Sequence, residues 1–293
     1  MMPRKRAQQR RMVRMTRWMA VFGAVLMLAQ ALPASADTML QPLSTLDDSK
    51  GWEGVGRLNL GDRGFCTASL IAPDIVLTAA HCLYDETTGG RFPLGMMTFL
   101  ADWRLGRAAA YRGVRRAVIA PGYDFGSADK IGRIGHDIAL LQLDQPIRLP
   151  SIRPFTVAGR AQVGEAVGVV SYAKDRSDAP SLQQTCHVLD TQPGLLVLTC
   201  DIDFGSSGSP IFQLRNGQAS IVSVISAKAQ ANGKQVALGV DLSSVIGPLR
   251  AHLMAEENGT LMQVIPTQTA TDGGLPAPAM PGGGAKFLRA SPP

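Results

Sequence analysis

The 293-residue sequence predicts an all-β protein made of a domain pair and followed by one late helix. Three observations carry that expectation. From about residue 52 to 241, short β-rich runs alternate with Gly, Pro, Asp and Asn punctuation. Between those runs there is no long apolar stripe of helical period. The stretch from Ile147 to Pro154 holds two prolines that would interrupt any strand, so it reads as an extended linker between halves.

Taken in chain order, the first element is a leader at 1–36. It carries seven basic side chains from Arg4 to Arg17 and no acidic one. An apolar run from Trp18 to Leu32 follows, about the length of a signal h-region and short for a membrane span. Ala34-Ser35-Ala36 then offers the small residues a signal peptidase needs, which puts the mature start near Asp37. No stop-transfer flank follows, which argues against a stable anchor. The residues after Arg10-Arg11 fit a twin-arginine signal poorly, so Sec export is expected. Residues 37–51 are an N-terminal extension or a short propeptide.

Strands are expected at 54–60, 66–71, 75–79 and 137–143 in a first domain, residues 52–150. Further strands are expected at 166–172, 195–202, 210–214, 221–226 and 235–242 in a second domain, residues 151–258. The helix runs from about Ser244 to Glu257. Ser244 can cap it, which keeps Pro248 in the first turn, where a missing N–H costs least. Ile246, Leu249 and Leu253 share one face, and Asn258-Gly259 ends it. From Pro266 the chain has six prolines and five glycines in 28 residues, so 259–293 reads as a disordered tail.

The formal charge of +6 suggests an acidic partner such as nucleic acid. Removing the leader leaves 22 basic against 23 acidic residues, and the suggestion goes with it. Cys66, Cys82, Cys186 and Cys200 are an even set in an exported chain, which favours disulfides, and four cysteines can pair in three ways. No C-x-x-C occurs, and the spacings do not resemble a zinc site. No metal or cofactor is expected.

Chemistry concentrates in three places. His81 lies in Thr78-Ala79-Ala80-His81-Cys82. Asp137 opens an apolar strand, Asp137 to Leu141, where a buried carboxylate is costly without a partner. Ser207 sits in a glycine-flanked turn, Gly205-Ser206-Ser207-Gly208-Ser209-Pro210. Acyl transfer needs a nucleophile, a base for its proton, and an anion that holds the base. All three are present in the order His, Asp, Ser, which is that of the chymotrypsin arrangement and not of subtilisin or the α/β-hydrolases.

On these residues the chain, from about Trp52 to Leu253, resembles the trypsin/chymotrypsin-like serine proteases in their compact bacterial form. The resemblance implies two six-stranded antiparallel β-barrels and a C-terminal helix. It implies Ser207 as nucleophile, His81 as general base and then acid, and Asp137 as the group that fixes the histidine tautomer. The amides of Gly205 and Ser207 would form the oxyanion hole. Cys66 and Cys82 stand where a family disulfide does, and Cys186–Cys200 would tie strands on either side of a turn at Gln192-Pro193-Gly194. Asp201, six residues before Ser207, stands where trypsin-like members place the acid that receives Arg or Lys; alternatively it only satisfies loop amides. Ser226-Ala227-Lys228 matches the strand that pairs with substrate backbone, and Lys228 there would repel a basic side chain or obstruct entry. Zymogen members carry an aspartate where this chain has Ser206, so the amine-to-aspartate switch has no anion here.

The neighbours Ser206 and Ser209 do not hold the nucleophile's place in the motif. His136 reads as a surface or loop histidine, and His187 and His252 as structural or exposed. The implied protein is a monomeric endopeptidase, secreted or periplasmic, acting on polypeptides and binding neither nucleic acid nor membrane. The competing reading is a catalytically silent binding protein on the same fold. A glutamyl-specific enzyme generally has a histidine near the position of Ile225, which is absent.

Overall fold

The computed structural model describes residues 36–255 together with 263–264. The leader, and all of the tail except those two residues, lie outside the described residues. Strands β1 (Gln41–Pro42), β2 (Val55–Leu60), β3 (Phe65–Ala72), β4 (Ile75–Thr78), β5 (Met97–Ala101), β6 (Ala110–Ile119) and β7 (Ala139–Leu143) come first. They are followed by β8 (Thr156–Val157), β9 (Ala166–Ala173), β10 (Arg176–Gln192) and β11 (Leu195–Leu198). The last four are β12 (Pro210–Arg215), β13 (Gln218–Ala231), β14 (Lys234–Asp241) and β15 (Gln263–Val264). Helix α1 (Lys130–Ile134) lies between β6 and β7, and α2 (Ile246–Ala255) follows β14.

Two closed rings result. The first runs β6-β5-β2-β3-β4-β7 and closes through β6–β7; the second runs β10-β11-β14-β13-β12-β9 and closes through β10–β9. Each ring therefore has six strands, joined throughout as antiparallel neighbours. β1 and β8 are attached to the second ring, and β15 lies parallel to β6 on the first. Closing each sheet removes exposed edges that would otherwise invite strand pairing with other chains. The expected all-β fold of two six-stranded barrels is the one observed.

Inward alternation is why these segments close. β4 and β7 are buried along their whole length, as a strand flanked on both sides must be. Trp52, Phe155 and Phe212 meet where the halves join, with Phe212 centred 4.9 Å from Trp52 and 4.7 Å from Phe155. A single buried cluster runs from Val55 and Leu77 of the first barrel to Val224 and Val240 of the second. The barrels are thus joined by continuous apolar packing at their junction.

The elements depart from the expected map in several places. The longer strands β5, β6 and β10, the two-residue strands β1, β8 and β15, and helix α1 were not expected, and β15 falls within the stretch expected to be a disordered tail. Helix α2 starts at Ile246, two residues later than the expected Ser244, because a turn over 242–245 leads into it. Its inward residues are Leu249 and Leu253, with Ile246 only half-buried. Residues 147–154 carry no strand, as expected for the linker, while Ile147 and Ile152 are buried in the core. Residues 37–42 lie along β10, with Thr38 donating its amide to Thr185 O at 2.9 Å.

Candidate active site

β4 ends at Thr78, and the chain then curls into a short 3-10 turn, Ala80–Leu83, that carries His81. Asp137 precedes β7, which pairs antiparallel with β4, so histidine and aspartate meet at one end of adjacent strands. The carboxylate grips the histidine twice. Asp137 Oδ2 lies 2.6 Å from His81 Nδ1, and Oδ1 accepts the His81 backbone N–H at 2.8 Å. Ser226 Oγ, from β13 of the second barrel, donates to the same Oδ2. Asp137 is buried beside Ile138, so these three donors supply what desolvation removes.

With Nδ1–H directed at the carboxylate, Nε2 is left as the histidine's lone-pair nitrogen. Burial pulls the imidazolium pKa down, but the Asp137 charge and its hydrogen bond outweigh that effect and leave it above the usual histidine value.

Ser207 lies in the turn before β12. Its carbonyl accepts the Thr67 N–H at 2.8 Å, and the next amide, Gly208, donates to Ile225 O at 2.8 Å. Gly208 has φ of +78°, and a Cβ there would overlap Thr67 O and Thr78 Oγ1. The serine turn is therefore pressed against the strand end that leads into His81, and only glycine fits at the contact. Ser206 and Ser209 are both sealed from solvent, whereas Ser207 is half-buried. Of the three serines, only Ser207 is open to an incoming molecule.

The amides of Gly205 and Ser207 meet no protein acceptor among the described residues, while that of Ser206 donates to Asp203 O at 2.9 Å. Gly205 has φ of +93°, and a Cβ would strike the Phe65 ring. Two amides without a protein acceptor on one turn are the kind of pair that can receive an anion. Thr67, which sequence reasoning missed, organises this region. Its Oγ1 donates to Gly205 O at 2.9 Å and accepts the Tyr172 N–H at 3.1 Å, and its carbonyl accepts the Thr78 hydroxyl at 2.9 Å. A threonine within a strand carries no sequence signal for such a role; its only cue is that it follows Cys66.

Beyond the turn lies a cleft of about 170 Å³ lined by Cys200, Asp201, Ile202, Lys228, Gln235 and Val236. Asp201 and Lys228 are thus brought together. The Asp201 amide donates to Gln183 Oε1 at 2.7 Å, but its exposed carboxylate accepts no hydrogen bond among the described residues. Lys228 Nζ lies 3.4 Å from Asp203 Oδ1. Ser226 turns its hydroxyl to Asp137 and does not line the cleft.

The disulfides Cys66–Cys82 and Cys186–Cys200 both flank this region. With Cys66 and Cys82 bonded to each other, their proximity to His81 offers no thiolate to a metal. His136 is exposed, with its ring beside Gly122. His187 Nδ1 lies 2.7 Å from Asp37 Oδ1 on the far side of β10, and His252 lies on α2. None of the three joins the cluster around His81.

Residues 48–246 match the trypsin family profile. A glutamyl endopeptidase of Bacillus licheniformis is 26% identical over 171 residues, covering 58% of this chain and 52% of the relative. A trypsin-like protease of Streptomyces glaucescens is 29% identical, covering 39% and 42%, and a modular serine protease of Drosophila melanogaster is 40% identical over 31% of this chain and 15% of the relative. The chain therefore spans about half or less of the length of these relatives. A solved glutamyl endopeptidase in complex with MPD superposes with a TM-score of 0.62 at 19% identity, covering 76% of this chain and all of that one. At that identity the likeness speaks for the fold.

Proposed function

Since the chain belongs to the trypsin family, we propose that it is an exported serine endopeptidase working through Ser207, His81 and Asp137. The observation that carries the reading is the doubly gripped His81 at the end of a strand against which the glycine-pinned turn of the accessible Ser207 is packed. His81 Nε2 takes the Ser207 proton as Oγ attacks the substrate carbonyl carbon. The oxyanion that forms is received by the Gly205 and Ser207 amides, each contributing about 3 kcal/mol. The imidazolium, stabilised by Asp137, then protonates the departing amine, so the C–N bond breaks and an acyl-Ser207 ester remains. Water attacks that ester with His81 again as base, releasing the acid and restoring the hydroxyl. No step requires a metal or cofactor.

The test is a fluorophosphonate probe followed by peptide mapping. Labelling at Ser207, lost in Ser207→Ala and His81→Ala, is the expected result; an unlabelled folded protein would leave the silent binding protein as the better reading.

The cleft supports a preference at the substrate residue preceding the cut. Asp201 offers a carboxylate that accepts no hydrogen bond among the described residues, suited to a bidentate guanidinium or an ammonium, while Lys228 is already engaged by Asp203. Cleavage after Arg or Lys is expected, and Asp201→Asn should weaken it selectively in a peptide-library profile. A profile of cuts after Glu or Asp would assign the cleft to Lys228 instead. The layout that goes with this function is a leader at 1–36, an extension at 37–51, barrels at 52–150 and 151–258 and a tail at 259–293, acting as a secreted or periplasmic monomer.

A further inference from the structure

We infer that Arg176 is a positioning residue that sets the direction of the oxyanion amides, acting from the β9–β10 hairpin on Ser206 and the turn around it. The inference rests on the peptidase reading above. β9 and β10 are joined by the two-residue turn Lys174-Asp175, with Arg176 opposite Ala173. From there the guanidinium folds back over β9. Nη1 donates to Ser171 O at 2.6 Å, and Nη2 reaches Ser171 Oγ at 3.0 Å and Ser206 Oγ at 3.5 Å.

The Ser206 hydroxyl is fully buried, and its bonding capacity is filled. It donates to Tyr172 O at 3.2 Å and accepts from the Asp203 N–H at 3.3 Å, leaving one lone pair, which faces Arg176. The same hairpin holds the turn a second time, because the Lys174 N–H donates to Phe204 O at 2.7 Å. A trans peptide points its C=O and N–H in opposite directions. Fixing Phe204 O on the hairpin therefore aims the Gly205 N–H away from the hairpin.

The charge has a reason as well. Asp201 and Asp203 approach the guanidinium from the turn, and Asp175 lies beside it on the hairpin, its Oδ1 4.0 Å from Nε. Burial lowers the Arg176 pKa, and these three carboxylates oppose that loss. A neutral side chain would remove the cation that Asp201 faces on this side and leave Asp203 with Lys228 alone. Where zymogen relatives require an aspartate to meet a newly freed amine, this chain has a serine and supplies its cation from within.

The experiment compares Arg176→Gln, Arg176→Lys and Ser206→Ala with the wild type. It reads kcat and KM on a chromogenic peptide anilide, fluorophosphonate labelling rate, and amide hydrogen exchange by mass spectrometry. Arg176→Gln is expected to lower kcat and labelling together by about 10- to 100-fold, somewhat less than deletion of an oxyanion donor, with KM within about threefold. Exchange should quicken in peptides covering 203–208 and not in the first barrel, and Arg176→Lys should recover part of the loss. Wild-type kcat and exchange in Arg176→Gln, or loosening spread evenly over both barrels, would overturn the inference. If Arg176→Gln does not fold, Ser206→Ala decides: the same local loosening with reduced kcat supports the role, and unchanged behaviour overturns it. A wild type that neither turns over nor labels, yet whose turn loosens on Arg176→Gln, would sink the peptidase reading and leave the positioning role standing.

Discussion

Asp137 satisfies its buried carboxylate with one imidazole, one amide and one hydroxyl, and two of those three belong to His81 or its backbone. Such coupling makes the site behave as a unit. Ser207→Ala and His81→Ala are each expected to lower kcat by about 10⁴-fold or more, with the double variant scarcely worse than either, measured as burst-corrected turnover. The raised His81 pKa fixes the sign of the pH dependence. General-base action needs neutral imidazole, so kcat/KM should rise with pH through a midpoint above the ordinary value of about 6.5. The ion pair of protonated His81 with Asp137 stabilises the fold fully below the unfolded pKa, and that contribution is lost as pH climbs through the folded one. An acid limb centred below 6 would contradict this balance of charge over burial. The aspartate was legible because a carboxylate heading an apolar strand demands a partner. Arg176 and Thr67 were not, since each is an ordinary residue type in a polar hairpin or strand, and only folding brings either to the serine turn.

Strands β5, β6 and β10 escaped the sequence reading for physical reasons. In β6, Arg112, Arg115 and Arg116 break the apolar alternation, and the fold accommodates Arg116 by bonding its Nε to Gln142 Oε1 at 2.7 Å. β10 contains Pro180 and shifts register twice against β9, between Arg176 and Ser181 and between Gln183 and Cys186, so its inward residues do not keep a period of two. Helix α1 is only five residues long and depends on Asp129, whose carboxylate accepts the Gly132 N–H at 2.9 Å. Irregular β10 is also the strand that the second disulfide secures. Cys186 lies within it and Cys200 follows β11, closing a loop with a sequence separation of 14. Replacing both cysteines by alanine is expected to cost about 3 kcal/mol in urea unfolding. A loss under about 1 kcal/mol would mean that the strand pairing alone holds this corner.

At the scale of the molecule, the two barrels contribute complementary parts: His81 and Asp137 from the first, Ser207 and Ser226 from the second. Ser206 presents no anion to a freed amine, so no charge switch from the N-terminal segment is expected at this junction. Proteins beginning at Ala36, Asp37 or Thr38, or acetylated at Asp37, are expected to turn over alike. Loss of activity on acetylation would reveal an anion elsewhere. Deleting through Thr38 is different, since Gln183 Nε2 donates to Thr38 O at 2.9 Å while its Oε1 holds the Asp201 amide. The barrel pair was legible from strand punctuation and the three motifs, whereas this docking of the extension was not, because two short pairings leave no periodic trace. The disulfides have a consequence in time. Cys82 immediately follows His81, and Cys200 immediately precedes Asp201, so one tether braces the base and the other braces the approach to the nucleophile. A newly made chain in a reducing cytosol lacks both braces. Turnover of the thiol form is expected to be depressed and to recover on air oxidation, in step with loss of free thiols. Disulfide formation would then be the step that brings the site to full activity.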